Sequence, residues 1–188
     1  MPLIIGLTGQ AGSGKGTVGT YLRDTYGADF LTFSSYLRKT LESLALDVSR
    51  DNLVKLSETL RSTFGEDAVS RAIARDAMAS SAAIVVVDGI RRIDDVVSTL
   101  QKLPHFHLVA VEATPRVRYE RLTHRGENTD EMAMTWEQFQ AQEQRSTEVT
   151  IPEIMAKAEI HLENSGDLSA LTAQVDAMLQ TLGVPQRA

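Results

Sequence analysis

The chain has 188 residues, enough for one full hydrophobic core, and its 43% hydrophobic and 23% charged content is that of a soluble globular protein. A formal charge of −6 speaks against a general nucleic-acid or anionic-membrane binder, and the absence of cysteine excludes disulfides, thiolate chemistry and cysteine zinc sites. The longest apolar run, Ala82 to Val87, is far too short to span a bilayer, and no basic leader precedes the first apolar stretch, so a reducing cytoplasm is the expected setting.

The first element is a short apolar strand, Leu3–Thr8, which feeds Gly9-Gln10-Ala11-Gly12-Ser13-Gly14-Lys15-Gly16-Thr17. Glycines at 9, 12 and 14 let the backbone wrap with its N–H groups inward, where phosphate oxygens can be cradled. Lys15 adds a mobile positive charge for the β/γ-phosphates, and the helix that begins there adds its N-terminal dipole. This loop is the strongest signal in the chain and predicts ATP binding by Gly9, Ala11, Gly12, Ser13, Gly14, Lys15, Gly16 and Thr17.

The helix over Lys15–Tyr26 stops at Gly27, and a second strand follows over Asp29–Phe33. Three helices are predicted next, over Ser35–Leu46, Asn52–Phe64 and Asp67–Ser80, with Asp51 as a cap and Gly65 as a terminator. Ser34 and Ser35 either cap the first of these helices or face a ligand, and Arg38 lies one turn inside it. The third strand, Ala83–Val87, delivers Asp88 at its carboxyl end, followed by Gly89 and the pair Arg91-Arg92. A carboxylate placed there can anchor the Mg²⁺ that bridges ATP phosphates, directly or through water.

A fourth strand over Phe106–Glu112 leads through the Thr114-Pro115 start signal into a helix over Pro115–Arg125. Arg121 and Arg125 are four apart and share a helix face. A polar stretch follows, then a helix opened by a Thr135/Gln138 capping box, expected to run through about Thr147 and carrying Arg145. A fifth strand, Glu159–Leu162, and an amphipathic helix over Leu168–Leu182 complete an alternating pattern. Short apolar strands alternating with helices define an α/β, doubly wound fold with a parallel sheet.

GQAGSGKGT, FSSYLR and VVVDGIRR stand in the same order as the motifs of adenylate kinase-like nucleoside monophosphate kinases, which the chain therefore resembles. The resemblance implies a P-loop kinase fold: a five-stranded parallel sheet in the order 2-3-1-4-5 with helices on both faces. It implies a single domain over residues 1–188, with acceptor-binding helices at about 34–80 and a short lid at about 121–147. It also implies ATP-dependent phosphoryl transfer to a nucleoside monophosphate or related nucleotide. Ser34, Arg38, Asp88, Arg91 and Arg92 would line the acceptor, its phosphate gripped by Arg38 and by one arginine of the pair, Arg92 on direct alignment or Arg91 because the family's proline is missing. Arg121, Arg125 and Arg145 would be the lid arginines that neutralise the migrating group. Mg²⁺ would travel with ATP, held by Asp88 and with Thr17 as a further contact, since Gly16 stands where a hydroxyl is usual. No general base is needed for an ionised phosphate acceptor, and His124 at its helix end is read as structural.

The ending AEIHLENSG is similar to that of dephospho-coenzyme A kinases, in which this turn lies against adenine; Asn164, Ser165 and Gly166 would contribute there. Phosphorylation of a ribose hydroxyl is therefore the alternative within enzymes. Outside them stands a nucleotide-hydrolysing switch, although no Asn-Lys-x-Asp motif reads a guanine and no Asp-x-x-Gly follows the third strand. The expected partners are small nucleotides, with no nucleic acid polymer and no membrane, in a monomer or homodimer.

Overall fold

In the computed structural model, β1 (Leu3–Thr8) is the central strand of a five-stranded sheet ordered β2-β3-β1-β4-β5. The others are β2 (Asp29–Thr32), β3 (Ile84–Asp88), β4 (Phe106–Glu112) and β5 (Ile160–Glu163), and every pairing is parallel. The structure describes residues 1–125, 134–144 and 148–185, without the side chains of residues 50 and 125. The helices are α1 (Lys15–Tyr26), α2 (Phe33–Ser43), α3 (Arg50–Phe64), α4 (Ala68–Ala79), α5 (Pro115–Arg125), α6 (Trp136–Glu143), α7 (Ile151–Met155) and α8 (Leu168–Thr181).

The sheet is buried on both faces, which is why its strands are apolar at nearly every position. Alternate side chains divide between two cores. Ile5, Leu7, Val86, Val109 and Val111 pack with Val18 and Leu22 of α1 and Leu171, Val175 and Leu179 of α8. Ile4, Val85, Val87 and Leu108 pack with Phe33 and Leu37 of α2 and Val69 and Ile73 of α4. A small third cluster joins Leu122, Met134 and Phe139 to Tyr119, Trp136 and Ala11.

The elements differ from expectation mostly at their ends. Thr32, not Ser34 or Ser35, caps α2: its side chain accepts from Ser35 N at 3.0 Å, so Phe33 already belongs to the helix. Ser49, not Asp51, caps α3 by accepting from Asn52 N at 3.2 Å, leaving Asp51 in the first turn, where its charge suits the helix dipole. The capping box of α6 is present, but the helix ends at Glu143, and Arg145 lies outside the described residues. Two pieces were not foreseen. A π turn over Asp95–Thr99 runs into a 3-10 turn over Leu100–Lys102, and α7 forms after Glu148. Among the described residues no helix is long and apolar enough to cross a membrane.

Candidate active site

A cleft of about 1660 Å³ opens above the carboxyl ends of β1 and β3, where ligands of open α/β sheets bind. One end is formed by residues 10–12 and 14–17, linking β1 to α1. Gly9, Gly12 and Gly14 all have positive φ, at 148°, 77° and 101°. At Gly12 a Cβ would sit 2.7 Å from Arg118 O, and at Gly14 it would sit 2.0 Å from Asn164 Nδ2. Glycine is thus required here both by conformation and by close approach. Lys15 Nζ donates to Gly9 O at 2.6 Å and Gln10 O at 3.1 Å, which folds its charge back over the loop.

Neighbouring elements brace the loop. Asn164, 5% exposed after β5, donates from Nδ2 to Ser13 O at 2.7 Å, and its Oδ1 accepts from Arg121 Nη2 at 3.4 Å. Arg118 on α5, 2% exposed, donates to Ala113 O at 3.1 Å, to Ala11 O at 3.4 Å and to Glu143 Oε1 at 2.6 Å. The same Glu143 oxygen accepts from Gln10 Nε2 at 3.0 Å, so α6 is tied to the loop through one carboxylate.

Two buried polar atoms have no hydrogen-bond partner among the described residues, Ser13 Oγ and Arg121 Nη1. A buried orphan costs about 1–3 kcal/mol, and a phosphate oxygen is the partner a guanidinium N–H beside this loop would take. The residues therefore fit a polyphosphate. For Mg²⁺ the donors at hand are hard oxygens: Asp88 at the tip of β3 and Thr17 on α1, both lining the cleft. Among the described residues no group of three or more His, Cys, Asp or Glu side chains gathers as a cation cage. That suits an ion whose shell is completed by phosphate oxygens and water.

The other end of the cleft is set by α2, α3 and the segment after β3. Phe33, Leu37, Leu53 and Val54 supply apolar walls. Ser34 and Arg38 lie at the mouth; Arg38 is exposed and makes no ion pair among the described residues. Asp88 Oδ1 accepts from Gly89 N at 2.7 Å. Arg91 pairs with Glu148, and its backbone oxygen accepts from Thr150 Oγ1 at 2.6 Å. Arg92 sits 3.5 Å from Glu66 Oε2.

The structure thus gathers in one cleft Ala11, Gly12, Gly14, Lys15, Gly16, Thr17, Ser34, Arg38, Asp88, Arg91, Arg92 and Arg121. Gly9 and Ser13 sit behind the loop's inner surface, and Gly166 is exposed away from it. Arg125 ends α5 with its side chain outside the described residues. Sequence reasoning missed Arg118, Glu143, Glu148, Arg61 and Asp95 in this wall. None carries a local signature, because each acts through a partner at least 25 positions away. His124 lines the cleft with Nδ1 2.6 Å from Glu120 O, a helix-end contact in which the ring N–H donates.

Sheet order and loop together define a P-loop kinase fold. Residues 8–140 match the model of a family described as an AAA domain, and the chain belongs to that family. It is 29% identical over 180 residues to a UPF0200 protein of Hyperthermus butylicus, covering 96% of this chain and 95% of that one. It is 27% identical to the UPF0200 protein of Methanoculleus marisnigri, covering 96% and 97%. Among solved structures, a Thermus thermophilus protein superposes with a TM-score of 0.64 at 23% identity, covering 96% and 98% of the two chains. A shikimate kinase from Bacteroides thetaiotaomicron gives 0.61 at 14%, covering 97% and 99%. A gluconokinase from Sinorhizobium meliloti gives 0.59 at 18%, covering 96% and 93%. At these identities the likeness to the solved structures is one of fold.

Proposed function

We propose that the protein is an ATP-dependent kinase that phosphorylates a nucleoside monophosphate or a related nucleotide. The observation that carries this reading is the single cleft with the phosphate loop at one end and Arg38, Arg91 and Arg92 around an apolar slot at the other. Guanidinium groups suit a phosphate already on the acceptor, and the walls of Phe33, Leu37, Leu53 and Val54 suit a flat base better than a polyol.

In this reading the loop amides and Lys15 hold the β/γ-phosphates, and Arg121 faces the transferred group. The acceptor's phosphate oxygen bonds to the γ-phosphorus as the bond to the bridging oxygen breaks, and ADP leaves with that electron pair. Asp88, with Thr17, would hold Mg²⁺, which would supply charge to neutralise the phosphates. The protein contributes alignment and fixed charge rather than covalent chemistry. Arg125 and Arg145 belong to the same proposal as closing charges.

A hydroxyl acceptor is the second reading, favoured by the position of Asp88. Its carboxylate is the one titratable group named above that stands at the strand ends between the loop and the arginines, where a base would be needed. A coupled ADP-release assay over AMP, CMP, GMP, UMP, their deoxy forms and dephospho-coenzyme A tests both. Turnover with a monophosphate, giving a diphosphate, is the expected result. Product carrying the new phosphate on a ribose hydroxyl selects the second reading, and hydrolysis unaffected by any acceptor overturns both.

A further inference from the structure

The most deeply placed ion pair of the cleft wall involves residues that the proposed mechanism does not use. Arg61 of α3 is 6% exposed and Asp95, at the start of the π turn, is 1% exposed. They meet end-on, Nη1 to Oδ1 at 3.1 Å and Nη2 to Oδ2 at 2.9 Å. Arg61 Nε reaches Ser57 Oγ at 3.4 Å, and Nη1 also donates to the backbone oxygen of Glu66. Glu66 in turn holds Arg92, and Asp95 lies three residues beyond Arg92 in the chain. One guanidinium therefore fixes both supports of Arg92: the turn that carries its carboxylate partner and the segment that carries Arg92 itself.

Such a pair is a poor way to gain stability. Desolvation of two buried charges offsets most of their attraction, and apolar replacements of like size are often neutral or better. Burial pushes the Asp95 carboxyl above its ordinary value although Arg61 opposes the shift. With its folded-state value raised, the stability this group contributes is present at acid pH and lost as pH rises through that value. At neutrality the pair is held for its geometry.

The arginine that geometry serves differs from its neighbour. Arg91 is bound to Glu148, whose side chain is 11% exposed, and its backbone is pinned by Thr150. Arg92's ion pair among the described residues is a 3.5 Å contact to Glu66, whose side chain is 53% exposed, so an incoming phosphate can take its place. We infer that Arg61 and Asp95 are positioning residues that hold Arg92, rather than Arg91, as the grip on the acceptor's phosphate. This rests on the kinase reading of the cleft.

The test is a kinetic cycle on the full chain with the acceptor found in the assay above. Arg61→Lys and Asp95→Asn should each raise the acceptor KM about tenfold while the ATP KM stays within about twofold. Adding Arg92→Ala to either should change the acceptor KM little further, because the grip is already displaced. The double variant Arg61→Met/Asp95→Leu should melt no lower than the wild type yet keep the raised acceptor KM, and it carries the test if the single variants do not fold. An unchanged acceptor KM in these variants, or a full additional loss from Arg92→Ala, overturns the inference. Titration calorimetry with AMP, CMP, GMP and UMP separates this from failure of the kinase reading. If the wild type binds a monophosphate without transfer, the kinase reading falls and Kd replaces KM in the cycle; if it binds none, both fall.

Discussion

The two ends of the cleft are built by different means. The phosphate loop is a backbone structure, shaped by three glycines with positive φ and braced by Asn164 and Arg118 against its carbonyls. Its bracing side chains are buried, at 5% and 2% exposure. The opposite end is a side-chain structure: Arg38 stands on α2, Arg91 and Arg92 follow one another after β3, and the last two rest on carboxylates. The first end is tied to neighbouring elements through its backbone, whereas the second is a set of charges whose present partners an anion would replace. On the proposed reading, with the donor at the first end and the acceptor at the second, change at the first should abolish chemistry, and change at the second should alter which molecule is used.

The largest effect expected is that of Lys15→Ala, which removes the charge proposed to hold the β/γ-phosphates. Turnover should fall by about 10²–10³-fold, the cost of losing one fixed group that stabilises developing charge. Circular dichroism should be unchanged, since the cation's hydrogen bonds to Gly9 O and Gln10 O stay within its own loop. Turnover above a tenth of wild type would break the contrast at its donor end. Arg38→Ala should act at the other end, raising the acceptor KM by about 10–100-fold, the range of a charge-assisted hydrogen bond to phosphate. An ATP KM that rises in step would mean the two ends are not separable.

A smaller change sharpens the contrast through stability. Glu143→Ala leaves the Arg118 guanidinium buried without its carboxylate, and breaking such a pair costs about 3 kcal/mol. For a chain of this length the melting temperature should drop by about 6–12 °C. Glu143→Gln, which can still accept from Gln10 and Arg118, should lose about half of that. Equal drops for the two would show that hydrogen bonding rather than charge ties α6 to the loop.

What the sequence made legible follows the same division. The positions of the strands along the chain, the extent of α1 and α5 and the phosphate loop are local or periodic signals, and they are where the chain's pattern put them, whereas the sheet order was implied by the family resemblance. Gly27 stops α1 by donating its N–H to Arg23 O and Leu22 O, as a terminating glycine should. Legibility fails where a residue's partner is remote. Nothing around Arg118 marks it as different from Arg116, yet the first is buried against the loop and the second pairs with Glu120 on the surface. Arg61 and Asp95 are 34 positions apart, and neither window shows the other. The missed α7 did carry a sign, a proline in its first turn at Pro152, but at five residues it is too short for periodicity to register. Helix caps erred by one turn or less because several Ser and Thr compete there, and tertiary packing picks the winner.

Asn164 braces a carbonyl 151 positions earlier in the chain. During synthesis the N-terminal segment leaves the ribosome long before its brace exists. At about 5–20 residues per second the wait is some 8–30 seconds. A nascent chain therefore carries its phosphate-loop sequence before the side chain that braces Ser13 O has been made.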